Sequence, residues 1–231
     1  MNQKTRSFTS HISKGQMLAA LLYLPVHIAV LPIAASVLML RGVLDDTTGT
    51  FLIYAIGAVY MLLALWKFFR RDFDTLCDHK LNFLIEICVC YGLILVGNWL
   101  ANLLFMQIGL SDSANNEAVI EMMHADFGPV AAMTVFLAPI VEESIFRAAI
   151  FGPIRRKNRM LAYIVSMLLF SLYHVWAYAL DDPRELLYIL EYLPASLALA
   201  RCYERTNSIW GSIFLHMLNN GITMWAMSAM M

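Results

Sequence analysis

Two adjacent carboxylates and a guanidinium sit in the stretch VEESIFRAAI, as Glu142, Glu143 and Arg147, with apolar sequence on both sides. Further along, FSLYH spaces an aromatic ring and an imidazole four apart (Phe170, His174). HMLNN does the same with an imidazole and an amide (His216, Asn220). The chemistry open to such a set is hydrolysis. A carboxylate and a neutral imidazole can share one water, the first taking its proton and the second orienting it. Burial makes a carboxylate a better base. A second imidazole and an amide on one helix face can donate hydrogen bonds to a developing oxyanion. No Ser or Cys stands in a recognisable nucleophile setting, so attack by water is expected rather than a covalent intermediate.

Helical spacing divides the acidic pair. Glu143 and Arg147 are four apart and can pair on one face, while Glu142 is turned about 100° away and is free for another partner. These three residues fit equally well a structural Glu–Arg lock with the second glutamate hydrogen-bonded to a neighbour. A lone intramembrane His or Asn is as readily glue between helices as part of a site.

The elements that must position these groups are membrane helices. The chain has 231 residues, 60% hydrophobic and 14% charged, where a soluble domain carries about 25% charged. Seven apolar runs, at about 15–40, 51–69, 81–106, 128–154, 159–180, 186–200 and 208–229, approach the ~20 residues of a spanning helix. Strand-type alternation is absent, which argues against a β-barrel. The expected fold is all-α, a polytopic transmembrane bundle of about seven spans, or eight helices. One non-spanning helical segment is expected near 115–127, along the outer interface, with His124 a solvated surface residue.

The basic N-terminus resembles a secretory signal, but the run to Leu40 exceeds an ordinary signal core, so a retained first span is expected. Thirteen Lys and Arg residues fall on the N-terminal side of the bilayer, from Lys4, Arg6 and Lys14 through Lys67, Arg70, Arg71 and Lys80 to Arg155, Arg156, Lys157, Arg159, Arg201 and Arg205. Only Arg41 and Arg184 fall on the other. The positive-inside rule then gives N-in and C-out, a multi-pass protein of the cell (inner or plasma) membrane. Net charge −1 and scattered basic residues give no nucleic-acid surface. Cys77, Cys88, Cys90 and Cys202 have no metal spacing, and Cys88 and Cys90, on different faces of the third span, read as packing residues. Residues 1–110 form three spans without catalytic motifs, and 111–231 carry all three polar stretches.

A charge at a helix centre costs about 2.5–3.5 kcal/mol and an Ile, Leu, Phe or Val returns about 0.3–0.6. The fourth run has eleven such apolar residues, so roughly 3–7 kcal/mol in favour of insertion faces roughly 8–10 against. That helix needs partners from other helices. Counting about 1.5 Å per residue from the inner ends, His174 lies about 22 Å up, Glu142 about 20, Asn220 about 18, and Arg147 and His216 about 12. The five share one slab of the membrane.

The three stretches together resemble the CAAX-protease and bacteriocin-processing (CPBP, or Abi) family, which includes the type II CAAX prenyl endopeptidases. That family's pattern is E-E-x-x-x-R, then F-x-x-x-H, then H-x-x-x-N on separate transmembrane helices, met here by Glu142-Glu143-SIF-Arg147, Phe170-SLY-His174 and His216-MLN-Asn220. The resemblance covers about residues 125–225, and CYERTNSIWGSIFLHMLNN is similar to the family's third block. Ala148 and Asn207 depart from it where Gly is common. The resemblance implies a glutamate-dependent intramembrane endopeptidase with Glu142 as base and His174 assisting water activation. It implies His216 and Asn220 as the oxyanion hole, Glu143 and Arg147 as supporting residues, and Phe170 packed beside the site, on its substrate-binding side. No cofactor is expected, and the partners are the lipid bilayer and a peptide or membrane-anchored protein substrate. Two alternatives stand beside this reading. One is a zinc-dependent version with Glu142, His174 and His216 as ligands, although no H-E-x-x-H motif is present. The other is a non-catalytic membrane scaffold or bacteriocin-immunity protein.

Overall fold

A computed structural model describes residues 8–111 and 113–229. Lys4 and Arg6, counted above among the inner basic residues, lie outside the described residues. The described residues form helices joined by short turns, with no strand among them. In chain order the helices are α1 (Lys14–Leu40), α2 (Asp46–Ala64), α3 (Trp66–Asp78), α4 (Lys80–Ile108), α5 (Ala114–Ala125), α6 (Phe127–Arg155), α7 (Arg159–Val175), α8 (Ile189–Thr206) and α9 (Ile209–Ser228). The fold is the all-α bundle that the apolar runs imply.

Local chemistry starts these helices where they start. Ser13 and Gln16 form a capping box on α1, with bonds of 3.3 and 3.2 Å. Asp45 accepts from Thr48 N at 2.8 Å on α2, and Asn158 from Leu161 N at 3.0 Å on α7. Asn207 ends α8 in the left-handed region, at φ +54°. This is a backbone position where glycine is the easy choice and Asn the best alternative. Its side chain bonds Thr9 in both directions, accepting from Thr9 N at 2.9 Å and donating to Thr9 Oγ1 at 3.1 Å. The departure from the Gly-rich pattern therefore ties the N-terminal segment to the α8–α9 turn.

Four helices, α1, α2, α4 and α6, are long and apolar enough to cross a membrane by themselves. The expected fifth, sixth and seventh spans correspond to α7, α8 and α9, which are shorter or more polar because they carry the bundle's inward polar groups. The expected second span, 51–69, is corrected: the α-helix stops at Ala64, and Trp66–Asp78 is a separate helix with Phe68, Phe69 and Asp72 on its buried side. The sequence WKFFRRDFDTLCD has helical rather than uniform apolarity. The fifth run also ends early, at Val175, followed by 3-10 turns at Tyr178–Leu180 and Pro183–Tyr188.

Helix α6 is the hub. It packs against α1, α2, α7 and α9, and 56% of its most apolar stretch is buried, against 17–28% in the other three long helices. Helix α4 lies at the edge, packed on α8. A Cβ on Gly97 would stand 2.4 Å from that of Pro194, so glycine is what lets these two helices touch. The outer face of α4 exposes Leu81, Leu84, Val96, Trp99 and Leu103, an apolar surface suited to lipid. Basic-rich connections gather at one end of the bundle. There Arg155, Arg159 and Tyr163 surround Glu204, and Arg201 and Arg205 hold Glu86 at 3.5 and 3.0 Å.

Candidate active site

Helix α6 reaches the acidic pair through an α-helical turn, Ala138–Glu143, set between two π-helical segments, Met133–Leu137 and Ser144–Phe151. A uniform α-helix, the expectation from spacing, is thereby corrected. The Ser144 hydroxyl donates back to Ile140 O at 2.6 Å, and Gly152 N bonds Arg147 O five residues earlier. Each feature loosens the ordinary ladder.

Every member of the acidic stretch is buried: Glu142 is 4% exposed, and Glu143 and Arg147 are at 0%. Glu143 is fully engaged. Its Oε2 lies 3.3 Å from Arg147 Nε and accepts from Ser212 Oγ, and its Oε1 meets His216 Nδ1 at 2.9 Å. Arg147 spends one terminal nitrogen on Ser196, donating to its carbonyl and hydroxyl at 3.1 Å each, and its guanidinium stacks 4.1 Å above the Phe170 ring. The helix expected to be marginal on its own thus finds its partners on α8, α9 and α7.

Glu142 differs from its neighbour. Its Oε2 is buried without a hydrogen-bond partner, 3.7 Å from His174 Nε2 and 3.8 Å from His216 Nε2. The far side of each ring is fixed: His174 Nδ1 lies 2.9 Å from Phe170 O, and His216 Nδ1 lies on Glu143. A carbonyl and an Arg-paired carboxylate accept, so both Nδ1 atoms carry hydrogen, and a neutral ring turns its Nε2 lone pair toward Glu142. His174 is further held by Tyr192, stacked at 4.4 Å.

These groups open onto one cavity of about 630 Å³, lined by Glu142, His174, His216, Asn220, Thr134 and Tyr54 among others. Of the expected site residues, Glu142, Glu143, Arg147, Phe170, His174 and His216 form one contiguous cluster. Asn220 stands apart on the cavity wall, donating to Thr134 O at 2.9 Å. Phe170, expected on the substrate-binding side, is 2% exposed, lines the cavity and packs on Arg147 and the two imidazoles.

The depth count set His216 about 8 Å below Glu142; their side chains bring Nε2 and Oε2 to 3.8 Å. Sequence reasoning missed Ser212, Ser196, Thr134 and Tyr192. Ser212 alone had a signal, lying one turn before His216 on the same face. Among the described residues no group of three or more His, Cys, Asp or Glu is disposed to hold a metal ion.

The pattern described as "Type II CAAX prenyl endopeptidase Rce1-like" matches residues 125–222. A Bacillus subtilis (strain 168) protein named "Putative membrane peptidase YdiL" is 30% identical over 110 residues, 47% of this chain and 41% of that protein. Two proteins of Lactococcus lactis subsp. lactis (strain IL1403) are also similar. UPF0177 protein YajF is 28% identical over 74% of this chain and 80% of its own length, and UPF0177 protein YbdI is 31% identical over 54% and 67%. The chain thus spans well under half of the Bacillus relative. No solved structure matches. With its apolar helices, its buried acidic cluster and these relatives, the chain belongs to the Rce1-like family and is a multi-pass membrane protein.

Proposed function

We propose that the protein hydrolyses a peptide bond within the membrane, with Glu142 as general base. One observation carries this reading: Glu142 Oε2, His174 Nε2 and His216 Nε2 converge on the cavity, the carboxylate oxygen 3.7 and 3.8 Å from the imidazoles. Those gaps exceed a hydrogen bond but suit a water about 2.8 Å from Oε2 and from His174 Nε2. Such a water donates one hydrogen to each acceptor and directs a lone pair at the scissile carbonyl carbon. Glu142 takes the proton as the new C–O bond forms, then returns it to the leaving amine as the C–N bond breaks. Water and peptide become acid and amine, and Glu142 ends ionised.

His216 serves the oxyanion only if its Nε2 carries a hydrogen, which makes the ring an imidazolium. Glu143 is the counter-ion for that state. With His216 in that form, two carboxylates face one guanidinium and one imidazolium, and the buried cluster is neutral. Asn220 uses one amide hydrogen on Thr134 and has a second for the oxyanion. A resident metal has no part in this scheme, and metal content with chelator sensitivity tests that.

The substrate we propose is a peptide segment entering from the α2–α5 side, where Asp46, Asn115 and Glu121 line the cavity. No Lys or Arg is among the described lining residues, so a free C-terminal carboxylate finds no cation there. Cleavage of a C-terminally amidated peptide by purified protein, lost in Glu142→Gln, tests the function. Retained turnover in that variant refutes the role of Glu142.

A further inference from the structure

Outside the acidic cluster, three polar aromatic residues from three helices form a buried chain ending at the cavity. His27 lies in the π-helical segment Val26–Val30 of α1 and is 3% exposed. Its Nε2 is 3.0 Å from Tyr173 Oη, and Tyr173 Oη is 3.1 Å from Tyr54 Oη on α2. Tyr54 lines the cavity that holds Glu142, His174 and Asn220. His27 and Tyr54 both precede the stretch matched by the family pattern, residues 125–222.

The direction of this chain follows from one unpartnered atom. His27 Nδ1 is buried and has no hydrogen-bond partner. Were the ring hydrogen on Nδ1, a buried donor would be orphaned; on Nε2, only a lone pair goes unfilled. Orphaned buried donors are the rarer arrangement, so the ring is the Nε2–H tautomer. Nε2–H then donates to Tyr173 Oη, Tyr173 O–H has Tyr54 Oη as its acceptor, and Tyr54 O–H is left to donate elsewhere. The remaining direction open to it is the cavity. Packing fixes the geometry: the His27 ring meets Tyr54 edge-on at 5.0 Å and Tyr23 at 5.6 Å, while Tyr173 packs on Phe146 at 5.4 Å.

We propose that Tyr54 is a substrate-binding donor of this active site, giving its O–H to a backbone carbonyl oxygen of the bound peptide, with Tyr173 and His27 as positioning residues that aim it. The proposal rests on the peptidase reading above and deepens it. It gives the N-terminal helices a direct part in the site, through a residue that no catalytic motif contains. The donor acts on the bound peptide before and during reaction alike, so it contributes uniform binding.

The test is steady-state cleavage of one amidated peptide by full-length protein in detergent. Tyr54→Phe is expected to raise KM about 3–10-fold, the worth of one neutral hydrogen bond, with kcat nearly unchanged. Tyr173→Phe and His27→Phe should raise KM similarly. The double variant Tyr54→Phe/Tyr173→Phe should be no worse than Tyr54→Phe alone, because the two act through one donor. His27→Gln, which keeps an N–H at a similar reach, should recover much of the loss. Unchanged KM in Tyr54→Phe, or a fall in kcat at constant KM, overturns the proposal; Glu142→Gln, measured beside it, decides the peptidase reading separately. Nitrogen-15 NMR of the His27 ring, identified by its loss in His27→Gln, needs no activity. The Nε2–H tautomer is expected, and Nδ1–H overturns the proposed orientation.

Discussion

Replacing each of two adjacent glutamates by glutamine should have opposite consequences for stability. Glu143 forms an ion pair with Arg147 and hydrogen bonds with Ser212 and His216, all three 0–5% exposed. Glu143→Gln keeps the shape but removes the charge opposite a guanidinium that water cannot reach. Breaking a buried ion pair from one side costs about 3–5 kcal/mol, and at about 2–4 °C per kcal/mol for a chain of this size the melting temperature should fall by about 6–20 °C. Glu142 Oε2 has no hydrogen-bond partner, so Glu142→Gln breaks no direct bond. The new amide can also donate to a facing Nε2. Its melting temperature should equal or exceed that of the wild type. Thermal unfolding of the purified proteins, followed by tryptophan fluorescence in one detergent, reads both. Equal destabilisation by the two substitutions, or a wild-type melt for Glu143→Gln, would refute the division of labour between the two carboxylates.

Other outcomes follow from the same geometry. At the start of α9, Asp72 accepts from Ile209 N at 2.8 Å. Burial, opposed by that bond and by Arg71, pushes its carboxyl up to about 7. The folded protein therefore holds this proton more tightly than the unfolded chain. Its stabilising effect is fully present below about pH 4 and is lost as pH rises through about 7, so Asp72→Asn should flatten the melting-temperature profile across that window. Glu204 behaves oppositely: burial would raise its carboxyl, but Arg159, Tyr163 and Arg155 together hold it at about 2. Its contribution is present above about pH 4.3 and is lost as pH falls toward 2, and Glu204→Gln should abolish that acid-side loss in thermal melts. Dialysis against a chelator should leave cleavage intact; loss that zinc restores would contradict the metal-free scheme.

The bundle and the position of its buried polar cluster were legible because both rest on local pattern. Long apolar runs announce helices, and Glu143 with Arg147, or Phe170 with His174, need only helical spacing to share a face. What sequence did not show depends on contacts between distant segments. Glu143 was assigned to Arg147 alone, since nothing in VEESIFR reports that His216 and Ser212 arrive from α9. The two π segments flanking Glu142 and Glu143 shift register without changing composition, so spacing counted at 3.6 residues per turn missed them. Trp66–Asp78 was partly absorbed into the second span because WKFF continues an apolar run, whereas the chain breaks at Leu65. Asn207 was readable only as a departure from a pattern; its positive φ and its bonds to Thr9 give the physical reason.

The central claim is that the Glu142 carboxylate activates the water that cuts a peptide bond. Its most direct measurement is single-turnover cleavage of an amidated peptide by purified wild-type and Glu142→Gln protein, run in oxygen-18 water and read by mass spectrometry. Wild-type protein should release a product whose new carboxyl carries one oxygen-18, while folded Glu142→Gln releases none. Cleavage that persists in the Glu142→Gln protein would contradict the claim.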